Sequence, residues 1–280
     1  MPKVRFGGIL CAAAATSAIV VALAGPAAAA EKPANVDIGF TIAFWAIPFG
    51  HTDYHAKFAD GTYDAKSHFE TSGVVSIFWN STIDAVVNGN IAAHAIAPNV
   101  YDSYSQDHNS KRQRVKVAFD AKGMPETTAE PPYNTTKYPV TDEQKKNTVD
   151  PMSAITTILS GVKADEKNPC GSGVQVFDGR RRYDVAFTYV KDEEVKIPGV
   201  WSGKAHQCQI HYNQVAGYKQ KIIKEGKALP PMYLDVADLP APGAPNGHFV
   251  MPIKLWSSLS WGTVTATISE YKIDGVPGKG

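Results

Sequence analysis

The sequence predicts a mainly β fold, a curved antiparallel sheet covered by one short helix. Three observations predict it. Apolar, β-branched and aromatic residues alternate with polar ones at period two over much of the chain. Dipeptides that favour tight hairpin turns, Asp60-Gly61, Asn88-Gly89 and Asp178-Gly179, punctuate these runs. One stretch alone, opening at Asp150-Pro151, carries helical spacing. An alternating sheet must cover its apolar face, and one helix is little cover for so many strands. The sheet therefore curls on itself or holds something else.

In chain order, a short linker at 31–34 leads into strands expected around 36–46, 50–58, 62–72, 74–79, 82–87 and 91–97. Residues 113–120 alternate cleanly, with Val115, Val117 and Phe119 on one face. Segment 121–149 mixes Pro125, Pro131, Pro132 and Pro139 with Thr, Asn, Glu and Lys, and reads as a long exposed loop. Asp150 is placed to N-cap a helix whose first position is Pro151. Met152, Ile155, Ile158 and Leu159 then recur at helical spacing, and Gly161 stops a helix of about 151–160. A second β block starts at Val174–Phe177, turns at Asp178-Gly179, and returns through Tyr183, Val185, Phe187 and Tyr189. Further strands are expected near 205–214, 231–236 and 248–255. In the last strand Val264, Ala266 and Ile268 alternate with Thr263, Thr265 and Thr267.

The N-terminus has the three-part grammar of a signal peptide. Lys3 and Arg5 precede an uncharged apolar run from Ile9 to Ala24, Gly25-Pro26 breaks it, and Ala28-Ala29-Ala30 offers a cleavage site before Glu31. Residues 1–30 are thus expected to leave near Ala30, with 31–280 remaining as a single β-rich periplasmic domain. The competing reading is an uncleaved anchor, but the run falls short of the roughly 20 residues that a bilayer span needs. No membrane span is expected after cleavage. Of 28 Lys and Arg, Lys3 and Arg5 go with the leader, so 26 face 27 Asp and Glu. That balance argues against a nucleic-acid partner.

Cys11 leaves with the leader, and Cys170 and Cys208 remain. Two thiols in an oxidising compartment are expected to pair. Closing the intervening loop is worth about 4 kcal/mol on the chain-entropy model. The competing use is zinc, because His206, Cys208 and His211 crowd together and Cys170 supplies a fourth ligand. On a strand, however, His206 and Cys208 share one face and His211 takes the other, and the disulfide is favoured.

Several features together resemble the bacterial domain of unknown function 3108 family. They are the aromatic opening Gly39–Trp45 with Pro48-Phe49-Gly50, the segment Thr71-Ser72-Gly73, and Asp150-Pro151-Met152-Ser153-Ala154 at the helix start. Cys170 followed by Val176-Phe177-Asp178-Gly179-Arg180-Arg181-Arg182-Tyr183-Asp184, and the closing Trp261-Gly262-Thr263-Val264, complete the pattern. The resemblance spans essentially the chain beyond the leader. It implies an exported envelope protein with an antiparallel half-barrel similar to lipoprotein-carrier folds. It brings no activity and no catalytic residues, and loop 121–149 has no counterpart in it.

Tested class by class, the residues offer little to an enzyme. There is no Gly-x-Ser-x-Gly elbow, phosphate cradle or dinucleotide fingerprint, so no catalytic residue and no cofactor is expected. His51 and His55 share a strand face but stand about 13 Å apart by rise, too far to share one ion, and no metal is expected. Arg180-Arg181-Arg182 reads either as a solvated strand start or as a contact to a phosphate or lipid headgroup. Trp45, Phe78, Trp79, Arg181 and Trp256 are the candidate ligand-binding residues, on the concave face of the half-barrel. The expected function is non-enzymatic, binding or carrying a lipid or hydrophobic peptide there. The alternative is a structural or protein-interaction role with another envelope protein and no small ligand.

Overall fold

The two alternating blocks become the two arms of one antiparallel sheet in the computed structural model, which describes residues 33–77, 79–92, 94–225 and 230–278. The expected leader, its cleavage site and Phe78 lie outside the described residues. The first arm is a meander of β1 (Ala34–Phe44), β2 (Ile47–Ala59), β3 (Thr62–Thr71), β4 (Thr82–Ala92), β5 (Ala95–Gln106), β6 (Arg112–Phe119) and β7 (Pro125–Glu130). The second comprises β8 (Val174–Phe177), β9 (Arg182–Ile197), β10 (Trp201–Ala216), β11 (Met232–Pro240), β12 (His248–Leu259) and β13 (Gly262–Ile273), with the short β14 (Val276–Pro277) on β13. Pairing of β1 with β13, through Phe40 opposite Ile268 and Ile38 opposite Tyr271, joins the arms. The sheet order runs β7-β6-β5-β4-β3-β2-β1-β13-β12-β11-β10-β9-β8.

The sheet curls into a nearly closed barrel with one seam, between edge strands β7 and β8. At the seam, Gly179 lies so close to β6 and β7 that a Cβ on it would stand 2.7 Å from Val115 Cγ1 and 3.1 Å from Thr127 Cγ2. The β8–β9 turn is therefore wedged against the opposite arm. The inner face of the first arm buries Val36, Tyr54, Phe58, Tyr63, Val87 and Val117. Phe249, Met251 and Ile253 of β12 meet them, and Phe58 and Phe249 lie 5.5 Å apart by ring centroid.

Among the described residues three α-helices accompany the sheet: α1 (Asp142–Lys145), α2 (Pro151–Leu159) and α3 (Gln220–Glu225). Helix α2 begins as its sequence dictates, with Asp150 Oδ1 accepting the Ser153 N–H at 2.9 Å, and it packs against β3, β4, β5, β8 and β12. Its buried face differs from the apolar stripe expected. Met152 and Leu159 are buried, yet Ile155 is exposed, and Ser153, Thr156 and Thr157 are buried instead. These hydroxyls are satisfied, which makes their burial tolerable. The Tyr63 hydroxyl lies 2.7 Å from Ser153 Oγ and that of Tyr54 lies 2.6 Å from Thr156 Oγ1, while Thr157 donates to the Ser153 carbonyl at 2.7 Å.

Four expectations are corrected. The strand expected at 74–79 does not form over 74–77, because Gly73 takes a positive φ of 64° and a 3-10 turn (Gly73–Ile77) follows. Asn88-Gly89 is no hairpin turn but lies inside β4, facing Val100 and Pro98 of β5, whose Asn99 is the extra residue of a bulge. Strand β5 runs on to Gln106 through Asp102, Ser103 and Ser105, whose polarity hid it. Segment 121–149 is more than loop, because Pro125–Glu130 pair with β6 and Thr141 caps α1 reciprocally with Gln144. At Gly89 a Cβ would fall 2.5 Å from the Ala97 carbonyl oxygen and 2.7 Å from the Tyr63 ring. Gly89→Ala is therefore expected to cost about 3 kcal/mol in urea unfolding by overpacking. Exposed Asn88→Ala should stay within about 0.5 kcal/mol.

Cys170, in the connection between α2 and β8, is bonded to Cys208 of β10, with Cα atoms 5.8 Å apart. The pair is buried with Leu234, Val236 and Val250. Both thiols are used, which removes them from the zinc reading.

Candidate functional site

The concave face expected to receive a ligand is filled by the chain itself. Tyr63, Leu159, Phe249, Met251 and Ile253 are all at most 1% exposed there. The candidate binding residues do not line it either. Trp45 is exposed in the β1–β2 turn, stacked on Phe44 at 5.3 Å. Trp79 follows the 3-10 turn, exposed, with its ring 3.6 Å from that of His108. Trp256 stacks on Tyr233 at 5.4 Å, with the Lys254 ammonium 5.2 Å from its centroid. The Arg181 guanidinium lies 5.5 Å over Tyr218. What these four share is one end of the barrel rather than a common site, because strands in an antiparallel sheet alternate direction.

A cleft instead opens at the seam, with a volume of about 750 Å³, in the range of small-ligand sites. One wall is β7, including Thr127 and Ala129, and the other is the end of β8 at Phe177 with Arg180 of the β8–β9 turn. The roof comes from the segment first read as loop, through Pro132, Tyr133, Pro139 and Val140. Strand β8 has a partner on its outer side, since Val149 runs parallel to Val176. Among the described residues strand β7 pairs only with β6, so its other edge faces the cleft.

The arginine run is what holds this site together, each member differently. Arg182 is no solvated strand start. It is 5% exposed, donating through Nε to the Gln144 carbonyl at 3.0 Å and through Nη1 to the Tyr183 carbonyl at 2.8 Å. That clamps the α1 segment to β9. Arg180 is exposed and lies 5.3 Å over Tyr133, tying turn to roof, while Lys145 lies 5.9 Å over Phe177. Asp178 shapes the turn by accepting the N–H groups of Arg180 at 2.8 Å and Arg181 at 2.6 Å. Burial nonetheless holds its carboxyl above the usual range, against the pull of those donors. Burial also raises Tyr133, so this phenol enters the cleft as a neutral hydroxyl.

Arg181 was singled out from the sequence, but its neighbours Arg180 and Tyr133 carry the cleft. The available signal was the pair of aromatics flanked by prolines, Tyr133 and Tyr138, in a segment otherwise polar.

No curated protein matches the chain. Among solved structures it is similar to a beta-barrel-like protein of the domain of unknown function DUF1849 from Brucella abortus. The identity is 8%, over 85% of this chain and 97% of that one, with a TM-score of 0.48. The model of a family described as protein of unknown function, DUF3108, matches residues 37–269, which reaches from β1 into β13. The chain belongs to the DUF3108 family.

Proposed function

We propose that this is an exported, non-catalytic envelope protein that binds an extended, partly apolar peptide segment in the seam cleft. The observation that carries the reading is the free edge of β7 inside a walled cleft. An edge strand presents a row of N–H and C=O groups, and an added strand satisfies them. An acyl chain fills the same volume but leaves those groups dry and unpaired, at about 1–3 kcal/mol for each one buried. Tyr133, Pro132 and Val140 supply the apolar wall, and Arg180 favours an acidic or carboxy-terminal group, whereas Lys145 is already paired with Asp142 at 3.0 Å. Export is supported by the leader grammar of residues 1–30 and by the Cys170–Cys208 disulfide. Among the described residues no helix is long and apolar enough to cross a membrane.

Native mass spectrometry of the protein released from the periplasm tests this reading. The expected result is added mass that fragments as peptide, reduced about tenfold or more by Tyr133→Ala with Arg180→Ala. Bare protein overturns the reading, and added mass that fragments as lipid replaces peptide by acyl chain.

A further inference from the structure

We propose that the end of the barrel bearing Trp45 and Trp261 seats on the headgroup layer of an anionic lipid bilayer. Trp45 and Trp261 are 64% and 66% exposed, at the tips of the β1–β2 and β12–β13 hairpins. Because β1 pairs with β13, these tips are neighbours, and the backbone N–H of Trp45 donates to the Thr263 carbonyl at 2.8 Å. Phe44 roots both indoles, with ring centroids 5.3 Å from Trp45 and 5.0 Å from Trp261. Gly262 permits this closeness, since a Cβ there would lie 2.2 Å from Phe44 and 2.6 Å from the Trp45 indole nitrogen. The indoles are thus held outward by packing, at the cost of leaving large apolar surface in water. Ile47 beside them is exposed too, and Trp79 stands at the same end in the β3–β4 connection.

Charge separates this end from the other. The connections at 45–46, 72–81 and 260–261 contain no charged residue. Those around them bring exposed Lys111, Arg181 and Lys219 to the same end. The acids in those connections shape their own turns: Asp107 accepts the N–H groups of Asn109 and Lys111, and Asp178 those of Arg180 and Arg181. At the opposite end the turns contribute Asp60, Asp120 and Asp274 against Lys122, and no tryptophan. Indoles favour the membrane–water interface, where the ring is buried and its N–H stays wet. Basic side chains near an anionic surface add about 1 kcal/mol each. Convex hairpin tips also suit a soft, fluid surface better than a preformed groove. The inference is independent of what fills the seam cleft.

The test uses residues 31–280, which form a compact unit separate from 1–30, so the apolar leader cannot bind vesicles on its behalf. Vesicles of phosphatidylethanolamine with phosphatidylglycerol should sediment the protein and shift its tryptophan emission to the blue. Phosphatidylcholine vesicles should sediment several-fold less. W45S/W261S should weaken binding about tenfold or more, and K111E/K219E several-fold, with circular dichroism unchanged for both. Failure to bind anionic vesicles overturns the proposal, as does equal binding by W45S/W261S. A blue shift that grows with protein concentration without lipid assigns the patch to a second copy of the chain and also overturns it.

Discussion

Asp150→Ala is expected to lower unfolding stability by about 3 kcal/mol, the sum of a lost N-cap and an orphaned buried hydroxyl. The carboxylate is fully buried, accepting the Ser153 N–H at 2.9 Å on Oδ1 and the Ser153 hydroxyl on Oδ2. Ser153 in turn meets Tyr63, so the chain from β3 through Ser153 to Asp150 fixes where α2 enters the barrel. Alanine leaves the Ser153 donors without an acceptor in a dry site. Asn at 150 keeps an acceptor for the helix and should cost about 1 kcal/mol. Chemical denaturation of both variants checks this, and a loss under about 0.5 kcal/mol for alanine would show that the cap does not anchor α2.

The same residue gives a pH dependence with a definite sign. Burial pushes the Asp150 carboxyl up to about 6, so between about pH 4 and 6 the folded protein holds a proton that the unfolded chain releases. Stability therefore falls as pH rises through that window and levels above it. Asp235 acts in the same direction up to about 7, raised by burial and by the neighbouring Glu193 carboxylate. Glu193 is held low, chiefly by Lys191, and has the opposite sign, acting below its ordinary range. Asp150→Asn should flatten the fall between pH 4 and 6 but leave the part due to Asp235. An unchanged slope would sink the assignment.

Removing the disulfide as C170A/C208A is expected to cost about 4 kcal/mol, from the loop entropy freed in the unfolded chain. Cys208 is 0% exposed in β10, whereas Cys170 lies in the connection from α2 to β8. The bond therefore pins an irregular connection onto the sheet, and Leu234, Val236 and Val250 rely on it for cover. Urea unfolding of the variant, and of the parent with reductant, should give matching midpoint losses. A difference below about 1 kcal/mol from the oxidised parent would show that packing alone holds the connection.

The fold was legible wherever local pattern decided it. Asp60-Gly61 turns the chain with φ of 50° and 71°, as the dipeptide dictates. Asp150, Pro151 and Gly161 bound α2 because caps and φ limits act within a few residues. Asn88-Gly89 misled because it sits within a strand, where Gly89 makes room for Tyr63 of β3, a contact that local sequence does not announce. The site was less legible for a related reason. Tyr133, Phe177 and Arg180 meet only when strands more than forty positions apart come to the seam, and no periodicity encodes that meeting. The hydroxyl face of α2 was hidden too, since Ser and Thr look solvent-facing until Tyr54 and Tyr63 are seen to satisfy them.

The pairing of β1 with β13 has a consequence for how the molecule comes into being. Each arm zips up from neighbouring hairpins, with contacts a few residues apart in the chain. The ladder that unites them waits for the last long strand, and Asn35 meets Asp274 only then. A chain delivered with its N-terminus first thus carries an unpaired β1 edge until almost all of it has arrived. Contacts so far apart in sequence form slowly, because the loop between them must first be closed. Completion, rather than initiation, is the step at which this barrel is committed, and an interrupted chain would present the bare edge of β1 to its neighbours.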